Sequence, residues 1–180
     1  IIFNGTIQET SKDINSSTYK RLELLVDNYE IISSANKLPF LVTDANDYNS
    51  SFRSNVTLPN RLDNRWIDLR TIVNSSIFKI KTGIVSLFRE FMINNHFTEI
   101  HSPKLIGVPS ESGADVFSLD YFSNNTNKTT AYLAQSPQIY KQMAINSDFD
   151  RVFEIGPVFR AEKSLTTRHL CEFIGLDFEM

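Results

Sequence analysis

The sequence predicts an α+β chain resting mainly on antiparallel strands. Three observations carry this. The first forty-odd residues alternate apolar and polar side chains with no helical repeat. A single long 3.6-residue apolar repeat follows, from about Ser76 to Asn94, with Ile77, Ile80, Ile84, Leu87, Phe88, Phe91 and Met92 on it. The last thirty residues, Arg151 to Met180, hold two apolar runs around a polar loop, the pattern of a long β-hairpin. At 180 residues the chain suffices for one domain or two small ones.

In chain order, Ile1–Thr10 and Tyr19–Ser33 read as strands. The polar run Ser11–Ser17 lies between them as a loop, and a turn is predicted near Asp27-Asn28. Such a fragment suits an OB-type barrel. Thr43–Asn60 is rich in Asp, Asn and Ser and closes at Pro59, so it reads as a linker or hinge. This divides the chain into residues 1–45, a linker over 46–61, and a second domain over 62–180. The long helix takes Ser75 or Ser76 as its cap. Phe97–His101 is a short strand stopped before Pro103. Asp115–Phe122 and Ala131–Ala134 pair across the Asn-rich loop from Ser123 to Thr130, and Ser136-Pro137 opens another helix. No internal repeat is present.

The closing hairpin concentrates chemistry. Side chains alternate along a strand, so Val158, Arg160 and Glu162 share one face. On the second strand Cys171, Phe173, Gly175, Asp177 and Glu179 share a face, opposite Leu170, Ile174, Leu176 and Phe178. Buried charges are costly unless partnered, and a charged planar ligand is one partner. Arg160 offers a donor fork for phosphate or carboxylate. Glu162 suits an exocyclic amine, Phe173 a flat base, Arg168 and His169 a polyphosphate, and Asp177 an ammonium. The same groups also admit a plainer reading, as a self-satisfied ion cluster. Upstream, Gln138 and Lys141 lie three apart on one face of the predicted helix. They make either a clamp for a carboxylate or part of a solvated face.

Composition narrows the setting. A hydrophobic share of 41% with 12% aromatics marks a globular chain, and a net charge of −3 gives no general attraction to nucleic acid. The one cysteine, Cys171, excludes an intrachain disulfide; inside a predicted strand it reads as an inert core thiol. His96, His101 and His169 show no metal-ligand spacing. No window is apolar enough to cross a membrane, and no signal peptide is visible, although the chain starts at Ile1. The Asn-x-Ser/Thr triplets at Asn4, Asn15, Asn55, Asn74 and Asn127 are read as chance in an Asn- and Ser-rich chain. A reducing, cytoplasmic setting is expected.

The run Gly156-Pro-Val-Phe-Arg160-Ala-Glu162, a short loop, then Thr167-Arg168-His169-Leu170-x-Glu172-Phe173-x-Gly175-Leu176-Asp177-x-Glu179-Met180 resembles motif 2 of the class II aminoacyl-tRNA synthetases, in the form carried by the aspartyl family of eukaryotes and archaea. Leu62–Arg70 is similar to that family's segment between anticodon-binding barrel and catalytic domain. The helix followed by Phe97–Leu105 resembles motif 1. Gln135-Ser-Pro-Gln138-x-x-Lys141-Gln142 matches the family's aspartate-binding string, and Pro109–Asp115 resembles its mobile loop, with Ser112 where glycine is usual. Asparaginyl- and lysyl-tRNA synthetases, close relatives of the resembled family, are expected to lack the Gln-x-x-Lys pattern.

This resemblance implies a partial OB-fold anticodon-binding domain, then the N-terminal half of a class II catalytic domain with an antiparallel sheet. It implies ATP-dependent activation of L-aspartate to the adenylate and transfer to tRNA(Asp), with Mg2+ bridging the phosphates and no protein metal ligands in this stretch. Arg160 would bridge carboxylate and α-phosphate as the catalytic residue. Glu111, Gln138, Lys141, Arg160 and Asp177 would hold aspartate. Arg160, Glu162, Arg168, His169, Leu170 and Phe173 would hold ATP. Pro103 would contribute to a homodimer interface. Motif 3 is absent, so the segment alone is expected to be inactive. The rival readings are a non-catalytic synthetase-like protein that binds ligand or RNA in regulation, and a plain OB-type RNA-binding module.

Overall fold

The computed structural model describes residues 1–47, 54–111, 115–122, 129–164 and 166–180. The chain forms two compact units, Ile1–Asn74 and Ser75–Met180.

In the first unit, β1 (Ile2–Glu9) and β2 (Leu22–Glu30) pair antiparallel around the polar loop. Asn4 opposes Asn28 and Gly5 opposes Val26, which leaves Asp27 as an extra residue. The turn predicted at Asp27-Asn28 is therefore a β-bulge inside a continuous strand. Gly5 is required there: a Cβ would lie 2.0 Å from the Leu25 carbonyl oxygen. Among the described residues these two strands do not close into a barrel.

Helices α1 (Val42–Asn46), α2 (Leu58–Asp63) and α3 (Arg65–Asp68) follow. Phe40, Ala45 and Ile67 form a small core, with Val42 and Val56 against it. Part of the polar stretch read as a linker thus has an apolar anchor, while its residues 48–53 lie outside the described ones. The carboxylate of Asp68 is fully buried between two guanidiniums, Arg61 Nε at 2.6 Å and Arg65, and it also accepts from Asn74 Nδ2 at 3.0 Å. These partners offset the desolvation of the charge.

Helix α4 spans Ile72–Asn94 and starts earlier than its apolar repeat suggests. The reason is its cap: Thr71 Oγ1 accepts from the Asn74 amide at 3.4 Å, and Asn46 Oδ1 from the Ile72 amide at 2.8 Å. The far end closes with Phe97 N donating to Met92 O at 3.0 Å around His96, whose φ is 64°.

The second unit continues with β3 (Thr98–Glu99), β4 (Leu105–Ile106), β5 (Ser118–Asp120), β6 (Thr130–Leu133), α5 (Gln138–Asn146), β7 (Val152–Phe159) and β8 (Glu172–Glu179). One sheet has the order β3-β7-β8, antiparallel between β7 and β8 and parallel between β3 and β7; the other is antiparallel, in the order β4-β6-β5. The pairing of the two strands beside the Asn-rich loop is as predicted; loop residues 123–128 lie outside the described ones. Buried Ala134 ties the sheets together, donating to Lys104 O at 2.9 Å and accepting from Phe159 N at 3.0 Å. Val152 and Phe153 are fully buried, and Phe88 of α4 meets the Phe153 ring edge-on at 6.0 Å. Arg89 of α4 grips Glu99 of β3 through two hydrogen bonds of 2.9 and 3.1 Å, which hold the guanidinium above the usual arginine range. Among the described residues, no helix is long and apolar enough to cross a membrane.

Candidate active site

The β7–β8 register decides what shares a face. Val158 opposes Phe173, Gly156 opposes Gly175, Glu154 opposes Asp177 and Val152 opposes Glu179. Directly opposed residues of an antiparallel pair project to the same side. This face is a strip with Arg160 and Phe173 at one end and Asp177 and Glu179 at the other. Four steps along the strand lead from Phe173 to Asp177, about 13 Å at ~3.3 Å each. The Gly156–Gly175 pair adds no side chain of its own to the middle of the strip, where the Lys104, Glu154 and Val158 side chains come close.

At the Arg160 end, the guanidinium lies over the Phe173 ring, 5.6 Å from its centroid. Arg160 holds its place at the end of the ladder by donating its amide to Cys171 O at 2.9 Å. Arg160, Glu162, Arg168, His169, Leu170 and Phe173 together line a cavity of about 330 Å³. Arg160 Nε is buried without a hydrogen-bond partner, the only such side-chain atom among the described residues. Such a donor costs free energy unless something accepts from it. The loop is shaped by Thr166, which sequence reading passed over: its Oγ1 meets His169 Nδ1 at 2.6 Å and accepts the Arg168 amide at 3.3 Å. Cys171 is exposed and not a core thiol, because it lies just outside β8 at the hairpin's loop end.

Glu111 approaches from the side, Oε1 3.9 Å from Arg160. Its amide donates to the side chain of fully buried Gln135 at 3.1 Å, and Ser110 Oγ accepts the Gln135 and Ser136 amides at 3.0 and 3.3 Å. Ser112, which stands where the resembled loop usually has glycine, lies outside the described residues.

At the other end, α5 crosses β7 and β8. Its assigned start is Gln138, with Pro137 at the cap and Ser136 Oγ accepting the Gln138 amide at 3.5 Å. Lys141 is only 3% exposed. Its ammonium donates to Asp177, to Glu179 Oε2 at 3.1 Å and to the Phe178 carbonyl at 3.2 Å. Burial alone would lower the Lys141 pKa; the bonds to Asp177 and Glu179 prevail and leave it raised. Gln138 Nε2 donates to the same Glu179 oxygen at 3.3 Å. The predicted pair therefore does lie together, facing carboxylates of β8.

Glu154 and Lys104 went unnoticed in the sequence. Glu154 is 2% exposed, paired with the Lys104 ammonium and accepting the Ser102 amide at 3.2 Å. The alternation that selected Val158 and Arg160 also selects Glu154, two steps further back. Pro103 stands exposed between β3 and β4. No cluster of three or more His, Cys, Asp or Glu suited to a metal is found among the described residues.

Comparison with known proteins adds a second line. Residues 57–180 match the family model "tRNA synthetases class II (D, K and N)". The human cytoplasmic aspartate–tRNA ligase is 49% identical over 181 aligned residues, which cover 98% of this chain and 35% of the relative. A crystal structure from Leishmania major Friedlin, provisionally designated an aspartyl-tRNA synthetase, superposes with a TM-score of 0.84 at 44% identity, over 99% of this chain and 33% of that one. The asparaginyl-tRNA synthetase of Pyrococcus horikoshii, complexed with asparaginyl-adenylate, gives 0.76 at 30% identity, over 98% of this chain and 36% of that one. The chain thus spans about a third of the length of the relatives it matches.

Proposed function

The chain belongs to the class II tRNA synthetases of the aspartate, lysine and asparagine group, and from that premise we propose that the full-length protein joins L-aspartate to tRNA(Asp) by way of aspartyl-adenylate. One observation carries the choice: a buried ammonium, Lys141, and a guanidinium with an unpartnered buried nitrogen, Arg160, stand at opposite ends of one strip. The glycine pair between them contributes no side chain, and the Lys104–Glu154 ion pair borders it.

The aspartate side chain goes to Gln138 and Lys141, and its ammonium to Asp177 and Glu111. Its α-carboxylate attacks the α-phosphate and pyrophosphate leaves. Arg160 touches both reacting groups and offsets charge as it builds on phosphorus, so catalysis is positioning plus electrostatics without a protein nucleophile. The adenine stacks on the Phe173 face away from Arg160, beside Leu170, with its amine on Glu162. Arg168 and His169 meet the phosphate tail. Magnesium bound with the nucleotide would offset its phosphate charge, beside the Arg160, Arg168 and His169 side chains. Residues 1–45 supply part of an anticodon-binding domain, 46–61 the linker and 62–180 part of the catalytic domain. A homodimer through motif 1, with Pro103 in the interface, and a cytoplasmic location complete the reading, in keeping with the name of the human relative.

The test is ATP–pyrophosphate exchange by the full-length protein. Aspartate should support it and asparagine and lysine should not; Arg160→Met should abolish it, and residues 1–180 alone should be inactive. Exchange driven equally well by asparagine or lysine would overturn the assignment.

A further inference from the structure

One oxygen, Glu179 Oε2, is bound by both members of the Gln138–Lys141 pair, at 3.3 and 3.1 Å. The other acceptors of Lys141 are Asp177 and the Phe178 carbonyl, and neither is bonded by Gln138. The three donors of the ammonium are therefore all engaged. A substrate carboxylate can reach Lys141 only by taking over a place already filled, and the place that includes both donors is the one Glu179 holds. The Glu179 side chain is 29% exposed, so water meets its carboxylate when it swings off.

We propose that Glu179 is an internal stand-in for the side-chain carboxylate of the substrate, seated on Gln138 and Lys141 until aspartate displaces it. This rests on the reading of those two residues as the aspartate clamp. The exchange swaps one carboxylate for another, so the buried ammonium keeps two anionic partners before and after. It stays charged and aimed in the empty site, and arrival of the substrate requires no new ordering of Lys141. The cost is affinity, because each aspartate competes with a tethered carboxylate. An amide cannot make the same exchange evenly: asparagine would replace an ionic partner of Lys141 with a neutral one.

The experiment uses the full-length protein and its Glu179→Gln variant. Aspartate binding is measured by calorimetry without ATP, and the KM values for aspartate and ATP by pyrophosphate exchange. A neutral amide holds an ammonium less well than a carboxylate does. Glu179→Gln should therefore tighten aspartate binding on the order of 10-fold and leave the KM for ATP unchanged. Glu179→Asp, with a shorter reach, keeps the charge but gives up Gln138 and should tighten binding less; it also serves if the glutamine variant folds poorly. Aspartate affinity unchanged or weakened in the properly folded variants would overturn the proposal and make Glu179 a support for Lys141. Wild-type aspartate affinity in Lys141→Met would be a different failure, since it removes the clamp itself and the stand-in with it.

Discussion

Replacing Lys104 with methionine isolates the charge that the site keeps hidden. Glu154 is 2% exposed, and its only described partners are the Lys104 ammonium and the Ser102 amide. It also faces Asp177 directly across the β7–β8 ladder, where like charges repel. Methionine preserves the apolar stem that lies near Gly156 and removes only the cation. Stripping one partner from a buried ion pair costs about 3–5 kcal/mol. The Lys104 side chain is 23% exposed, so some water can replace it, which favours the lower end of that range. For a chain of this size each kcal/mol moves the melting point by ~2–4 °C, so a drop of roughly 6–12 °C is expected. Adding Glu154→Gln to Lys104→Met should restore all but about 1 kcal/mol, because no charge is then left alone. Thermal unfolding followed by circular dichroism reads all three proteins. A single variant that melts within about 2 °C of wild type, or a double variant no better than the single, would refute the argument.

Lys141→Met should lower kcat/KM for aspartate in exchange by roughly 10²–10⁴-fold, the loss of a buried charge partner worth about 2–5 kcal/mol, while nucleotide analogue binding persists; loss of both together would point to misfolding. The Lys141 pKa is raised in the fold, so its stabilising effect is complete below the unfolded value, ~10.4, and fades as pH climbs through the folded one. Wild type should therefore lose stability relative to Lys141→Met above about pH 10.4 in urea titrations; a constant gap from neutral to strongly alkaline pH would count against it. Gly175→Ala places a methyl 2.9 Å from Val158 Cγ2 and should cost about 1–3 kcal/mol, recovered in part by Val158→Ala. His96→Gly relieves a left-handed residue, φ 64°, and should raise stability by about 0.5–1 kcal/mol in the same unfolding assay.

Most of the candidate site is legible in the chain because it is written in period two. Arg160, Glu162, Phe173, Asp177 and Glu179 came from alternation, and the register of β7 and β8 puts the β8 members on one face as that rule requires. What escaped depended on distance in sequence. Glu154 lies on the same alternation, but its partner Lys104 is fifty residues upstream. The saturation of Lys141 by Asp177 and Glu179 follows from α5 crossing β8, which no local pattern encodes. Turn chemistry misled once: Asp27-Asn28 suits a turn, but a bulge uses the same residue types and keeps the strand going. The start of α4 was set by Thr71 and Asn46, polar residues ahead of the apolar repeat. Phe40, Ala45 and Val56 were masked by the polar residues around them, although they meet in a small core.

The extra residue at Asp27 bears on the curvature of the first hairpin. Phe3, Ile7, Leu22, Leu25 and Tyr29 are exposed on it within residues 1–180. The bulge breaks the ladder between Asn4 and Gly5 and bends the ribbon there. A pair bent in this way curls instead of lying flat, the shape it needs to take part in the rounded sheet proposed for the anticodon-binding domain.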